Sequence, residues 1–551
     1  MGGLPERAGC GRCVFCFKLA SLLSGRMACD AAAGGFCRVL FGMRAQNCKD
    51  RFSTYQIQSA YIKHHGTKLS ISKQKVFSNL VWRFLERTGA QAVSLVVAVV
   101  LARVLSPEDY GTVALMTVFI SILNVFVDSG LGAALVQKKD ADDVDFSTVF
   151  YTNAAFCVAL YALLFLSAPL IAAFYKRQEL APVIRVMGVT ILISGVKNIQ
   201  QSYVSRTLQF RKFFFATLTG TVCAAVTGIW MAYHGFGVWA LVAQQLANLA
   251  IDTVILWATV RWRPILAFSF ARLRGLFGYG WKLLVSALLD TFYGNLRNLI
   301  IGRRYSSEDL AFYTKGELFP KAVVGNINNA IDSVLLPTMS AEQDDRERVK
   351  QMTRRAIKTG TWCIAPLMVG LAVCAPSVVG ILLTDKWLPC VPFLRIFCIT
   401  YMFFPIHTAN LNAIRAMGRS DLFLRLEIIK KIVGLAVLLS TMWFGVMAMA
   451  YSMLFTSVIS QIINSWPNKE LLNYGYLEQL KDILPGIALA VAMGAVVSLA
   501  NLLPVGEWAR LAVQVPAGIA FYVLGSALLR LESFGYMRGL ALERIGGRKN
   551  G

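Results

Sequence analysis

Residues Val76–Gly111 read VFSNLVWRFLERTGAQAVSLVVAVVLARVLSPEDYG, and this stretch sets the plan of the chain. A charged opening with Arg83, Glu86 and Arg87 leads into an apolar run from Ala92 to Ala102, closed by the polar turn Ser106-Pro107-Glu108-Asp109. The apolar run alone is too short to cross a bilayer, which takes about 20 residues. The charged opening therefore belongs to the same span, at or inside one interface, facing protein or water rather than lipid. The pattern then returns. Trp82-Arg83 is echoed by Trp281-Lys282 (281 − 82 = 199), and Ser106-Pro107-Glu108-Asp109 by Ser306-Ser307-Glu308-Asp309 (306 − 106 = 200). A nearly constant offset means one chain carrying two copies of a helical half.

Composition points the same way. Of 551 residues, 56% are hydrophobic and only 16% charged, where a soluble domain carries about 25% charged residues. The apolar runs are continuous rather than alternating, so they are helices and not barrel strands. The reading is an all-α polytopic membrane protein with about 14 transmembrane helices. Two six-helix bundles are related by a pseudo-two-fold axis along the membrane normal, because an even number of spans gives both halves the same orientation. Two additional C-terminal helices follow, and the bundles are expected to face each other across a central cleft.

The corresponding division is a Cys-rich leader over 1–75, a first bundle over 76–260, a cytoplasmic amphipathic linker over 261–276 and a second bundle over 277–466. Two more spans occupy 467–530, and a basic cytoplasmic tail covers 531–551. The leader reads as a disordered segment or a mis-assigned start. Its Cys10-x-x-Cys13-x-x-Cys16 run has no fourth ligand at a metal-site spacing, so no metal and no cofactor is expected.

The net charge of +24 sorts by topology. Lys138, Lys139, Arg206, Arg211, Lys212, Arg261, Arg263, Arg272, Arg274, the run Arg346 to Lys358, Arg415, Arg419 and Arg425 fall in alternate loops on one side. The positive-inside rule makes that side, and both termini, cytoplasmic, and leaves no need for a nucleic-acid partner. The acidic run Asp140-Ala141-Asp142-Asp143-Val144-Asp145 reads as a solvated connection rather than a transferase metal motif. No Gly-rich phosphate loop marks a nucleotide-driven pump. The outer loops are too short for a membrane polymerase or ligase, so an enzyme is not expected.

The opening Trp82–Gln91, the turn Leu105-Ser106-Pro107-Glu108-Asp109-Tyr110-Gly111 and the turn Ser205-Arg206-Thr207-Leu208-Gln209-Phe210-Arg211 resemble one known family. It is the polysaccharide-flippase (Wzx-type) branch of the multidrug/oligosaccharidyl-lipid/polysaccharide exporter superfamily, with lipopolysaccharide, colanic-acid and teichuronic-acid translocases as the nearest likeness. The resemblance covers roughly residues 75–480. It implies flipping of undecaprenyl-diphosphate-linked oligosaccharide across the inner membrane by alternating access. The implied partners are that lipid, the bilayer, and polysaccharide polymerase and chain-length proteins.

Moving a diphosphate and a glycan across about 30 Å of hydrocarbon requires a hydrated, cation-lined cleft. Ionisable groups inside spans cost about 2.5–3.5 kcal/mol each and mark pathways. Arg83, Arg87, Lys282, Arg297, Lys315 and Lys321 are the candidate substrate contacts, since Arg and Lys both bind phosphate. The competing reading is that those near helix ends neutralise acids or snorkel. Asp290 and Asp128 are candidates for ion coupling, with Asp290 equally a partner for Arg297. His407 reads as a packed core histidine. The other function in range is a cation-coupled multidrug exporter, which would favour an acid-lined cavity.

Overall fold

The computed structural model describes residues 73–546 apart from 129, 139, 208 and 503, and side chains between 89 and 542 less those four and 128, 279, 540 and 541. Residues from 79 onward form one compact unit. The Cys10/Cys13/Cys16 run and nearly all of the 1–75 leader lie outside the described residues.

The first half runs α1 (Lys73–Val104), α2 (Pro107–Asp128), a short α3 (Leu131–Gln137), α4 (Asp143–Phe174), α5 (Leu180–Thr207), α6 (Phe210–Tyr233) and α7 (Val238–Thr259). The second runs α8 (Phe270–Arg304), α9 (Ser307–Ala341), α10 (Arg346–Val373), α11 (Ala375–Leu383), a 3-10 turn at Asp385–Cys390, α12 (Val391–Met402), α13 (Phe404–Ala416), α14 (Ser420–Thr441) and α15 (Val446–Leu472). Helices α16 (Tyr476–Leu499), α17 (Glu507–Leu528) and α18 (Glu532–Gly546) complete the chain, and no strand occurs among the described residues.

The two echoing turns share one local geometry. Ser106 Oγ donates to the Asp109 carboxylate at 2.7 Å and accepts the Asp109 amide at 3.1 Å; Ser306 and Asp309 repeat this at 2.7 and 3.0 Å. Each is a reciprocal capping box, which satisfies orphan amides at the helix start. Two equivalent helix starts thus open α2 and α9.

Among the described residues, ten stretches are long and apolar enough to cross a membrane. Helices α8, α9 and α14 fall short of that apolarity, and the searched part of α1, Gly89–Val104, is apolar but shorter. Helix α8 carries Lys282, Asp290 and Arg297, and α14 carries Arg425, Glu427, Lys430 and Lys431.

Several boundaries differ from the sequence reading. The second span breaks at Gly130, whose φ of +67° suits glycine, and a Cβ there would come within 2.5 Å of Gly280 O. The break lets α8 approach. The stretch Val391–Ala416 divides at Phe403, before Pro405. Between α9 and α10 only a short turn intervenes: α9 continues to Ala341 and α10 starts at Arg346 under an Asp345 cap. The linker stays extended up to Ser269, and α8 begins at Phe270. Amides of Ile265 and Ser269 donate to Ser147 Oγ (3.0 Å) and Thr148 Oγ1 (3.1 Å), so α4 hydroxyls satisfy backbone that a helix would otherwise satisfy.

The connections gather at two ends. Lys138, Asp142, Arg206 and Arg272 meet at a basic end. Arg103, Glu108, Arg177 and Lys386 mark the opposite end.

Candidate functional site

At the opposite end the two halves are sealed together. Lys386 Nζ donates to Arg103 O (2.8 Å) and Leu105 O (2.6 Å), and Trp387 Nε1 to Ala102 O (2.9 Å). Arg103 donates back to Leu382 O at 3.1 Å and to Ile381 O. Backbones approach so closely that a Cβ on Gly111 would lie 1.9 Å from Ser307 O, and one on Gly302 would strike Leu115. Lys315 belongs to this seal. It is only 8% exposed, with Nζ 3.8 Å from the Tyr110 ring centroid and 5.4 Å from that of Trp387. Aromatic faces stand in for a carboxylate there.

Towards the basic end the second half is open. On α8, Lys282 and Asp290 are exposed; on α9, Lys321 is 64% exposed and Asn326 and Asn329 are exposed too. A Cβ on Gly294 or Gly325 would meet nothing within 4 Å. Charged and amide groups left uncovered in such helices need water, since lipid contact costs about 2.5–3.5 kcal/mol per ion. Helix α8 straddles both halves. It packs on α2, α3 and α4 of the first half, its last turn included, where Gly302 meets Leu115 of α2. Against the second half, Asp290 pairs with Lys431, Arg297 reaches Ser452, and Tyr305 Oη donates to Met442 O at 2.8 Å.

The expected Asp290–Arg297 pair is therefore not formed, because Lys431 takes the carboxylate. Arg297 donates to the Ser452 hydroxyl at 3.3 Å and lies against the Tyr313 hydroxyl, and its buried Nε has no hydrogen-bond partner. No carboxylate lies within 4 Å of it among the described residues. Its neighbours are internally balanced. Glu317 accepts from Tyr401 Oη at 2.7 Å and from Lys321 at 3.2 Å, and Lys430 lies 2.5 Å from Glu427. Four cations (Arg297, Lys321, Lys430, Lys431) thus stand against three acids (Asp290, Glu317, Glu427), and the surplus falls on Arg297.

The other candidates are placed as follows. Arg83 and Arg87 lie on α1 and Asp128 ends α2, but their side chains are outside the described residues. Lys282 is open, Lys321 is tied to Glu317, and Lys315 is in the seal rather than the cleft. His407 packs inside the second half, 3.0 Å from Asn464. Glu427, Lys430 and Lys431 escaped the sequence reading, although four charges within one apolar stretch were the available signal. Tyr293, Tyr401 and Ser452 carried none.

The acidic run over 140–145 turns out to be a cap and a clasp. Asp142 and Asp145 form the capping box of α4. Fully buried Asp145 binds Lys138 at 2.6 Å and Arg272 at 3.5 Å, and Arg272 also grips Asp142. The Arg272 guanidinium, helped by the Asp145 amide, holds the Asp142 carboxyl down at about 2.

The described residues form an all-helical polytopic membrane fold, and a solved structure shares it. A solved structure of "Lipid II flippase MurJ, inward closed conformation" matches with a TM-score of 0.67 at 16% identity, over 82% of this chain and 98% of that one. The chain belongs to the polysaccharide biosynthesis protein family, whose profile matches residues 100–392, just over half of it. "Teichuronic acid biosynthesis protein TuaB" of Bacillus subtilis (strain 168) is 24% identical over 464 residues, 82% of this chain and 95% of that one. "Lipopolysaccharide biosynthesis protein WzxC" of Escherichia coli (strain K12) is 21% identical over 439 residues, 77% of this chain and 88% of that one.

Proposed function

We propose that this protein is a flippase that carries undecaprenyl-diphosphate-linked oligosaccharide across the inner (plasma) membrane by alternating access, for surface polysaccharide synthesis. The observation that carries the reading is the uncompensated Arg297 beside an open, polar face of α8 and α9, with the far end sealed. A diphosphate is the ligand such a wall prefers, because charge-assisted bonds to phosphate are roughly twice as strong as neutral ones. The four charged helices complete a count of fourteen spans in two bundles of six plus two. The basic end is cytoplasmic, so the cleft faces the compartment where the lipid-linked glycan is made.

Lys282 and Lys321 extend the cationic wall, and Arg83 and Arg87 add to it from α1. Lys315 joins it only when the seal parts. Asp290, and Asp128 at the end of α2, are the coupling candidates; for Asp290 that role means releasing Lys431. Polysaccharide polymerase and chain-length proteins are the partners downstream. A cation-coupled drug exporter would need an acid-lined cavity, and the charge balance here has the opposite sign.

The test is complementation of a deletion strain with wild type, Lys282→Ala or Arg297→Ala at matched membrane levels. Surface glycan and lipid-linked repeat units on the inner leaflet are assayed together. Loss of surface glycan with trapped precursor, restored fully only by wild type, is the expected result. Unchanged glycan and precursor after deletion, in a strain without a paralogue, overturns the proposal and moves drug export forward.

A further inference from the structure

At the basic end of the second half, three helices change from polar to apolar at one depth. Helix α10 does so between Lys358 and Trp362, α16 between Lys481-Asp482 and Ile483, and the α17–α18 junction between Leu528 and Arg530. A cavity of about 170 Å³ opens where they meet, with Lys358, Lys481 and Glu532 on its polar side and Trp362, Ile483 and Pro485 on its apolar side. Arg354 and Arg355 stand beside it. Arg354 binds Asp482 at 2.6 Å, and Arg355 lies 5.0 Å from the Tyr536 ring centroid.

Four cations (Lys358, Lys481, Arg354, Arg355) face three acids here, Asp482, Glu478 and Glu532, and the last is borrowed from the C-terminal helix. Glu532, in the first turn of α18, pairs with Lys358, and that ammonium, with Arg354 and Arg355 nearby, holds its carboxyl below the usual range. Lys481 is exposed and has no ion pair within 4 Å among the described residues. Glu532 therefore occupies a nest whose charge exceeds its own, where the helices turn from polar to apolar.

The geometry points to a binding site for an anionic phospholipid, its phosphate between Lys358 and Lys481 and its chains along Trp362, Ile483 and Pro485. Glu532 is the internal competitor for the same ammonium, so lipid binding and docking of α18 oppose each other. Basic pockets between helices on the cytoplasmic side suit such headgroups, and each lysine is worth about 1 kcal/mol, or roughly fivefold in affinity. This inference needs only a membrane-embedded chain and is independent of the transported substrate.

The experiment uses the purified full-length protein and counts retained lipid by native mass spectrometry after titration with phosphatidylglycerol, phosphatidylcholine or inorganic phosphate. Phosphatidylglycerol should bind in preference to phosphatidylcholine. Lys358→Gln/Lys481→Gln should weaken it by an order of magnitude or more, and Glu532→Gln should tighten it. Opposite signs from two charge-neutralising changes separate a site from general damage, with thermal melting as the check on folding. Equal retention of both lipids, equal binding by the double variant, or no gain in Glu532→Gln overturns the site. Displacement of the lipid by millimolar inorganic phosphate overturns the lipid in favour of a free anion.

Discussion

In the first half Lys197 and Asp252 lie 2.5 Å apart between α5 and α7, both largely buried, and their charges cancel. In the second half Arg297 occupies a comparable in-span position on α8 with hydroxyls, Ser452 and Tyr313, but no carboxylate beside it among the described residues. The two halves start from the same Ser–Asp capping turn, yet one uses buried charge to fasten helices and the other leaves it unspent. A cancelled pair is a structural contact, and breaking it strands an ion. An uncancelled guanidinium already bears that strain and is relieved by an anionic ligand.

That contrast is sharpest under mutation. Asp252→Ala should cost about 3–5 kcal/mol by stranding Lys197, whereas Lys197→Met/Asp252→Leu should recover most of it. Thermal unfolding in detergent and membrane abundance read this out, and a double variant as unstable as the single one would make the pair more than a fastener. For Arg297→Gln the expected pattern is reversed: unchanged melting, with translocation down about 10- to 100-fold for a lost charged hydrogen bond of 1.5–3 kcal/mol. A fall in melting of the Asp252→Ala size would erase the distinction between the halves.

The sealed end offers a third handle, because Gly111→Ala pushes a methyl into Ser307 O. Overpacking of this kind costs about 1–3 kcal/mol, and it should shift the population away from the sealed state. Spin-label distances between the α1–α2 and α8–α9 turns would lengthen; an unmoved distribution would show that the seam yields elsewhere.

The smallest effect concerns the linker clasp. Arg272 lowers the Asp142 carboxyl to about 2 from its usual 3.8. A depressed carboxyl stabilises fully above its unfolded value and loses that contribution as pH falls through the folded one. Proteolytic protection of residues 261–269 should therefore hold at pH 5 and decline between about pH 4 and 2. Asp142→Asn should remove the pH dependence.

Much of the site escaped the sequence for one physical reason. A charged residue announces itself as costly in lipid, but not which neighbour discharges it. Asp290 looked like a partner for Arg297 because both stand on one helix, and Lys431, from a helix more than a hundred residues away, takes it instead. Lys315 looked like a cleft residue by sign, and packing places it under Tyr110 and Trp387.

The all-α class and the repeated Ser–Asp helix start were legible because lipid forces continuous apolar helices and because capping chemistry is local. Ser306 needs only Asp309, three residues on. The seal, the spare guanidinium and the lipid nest were decided by tertiary structure alone. Each depends on which distant side chain reaches a carbonyl, a carboxylate or an aromatic face first, and periodicity along one chain does not encode that.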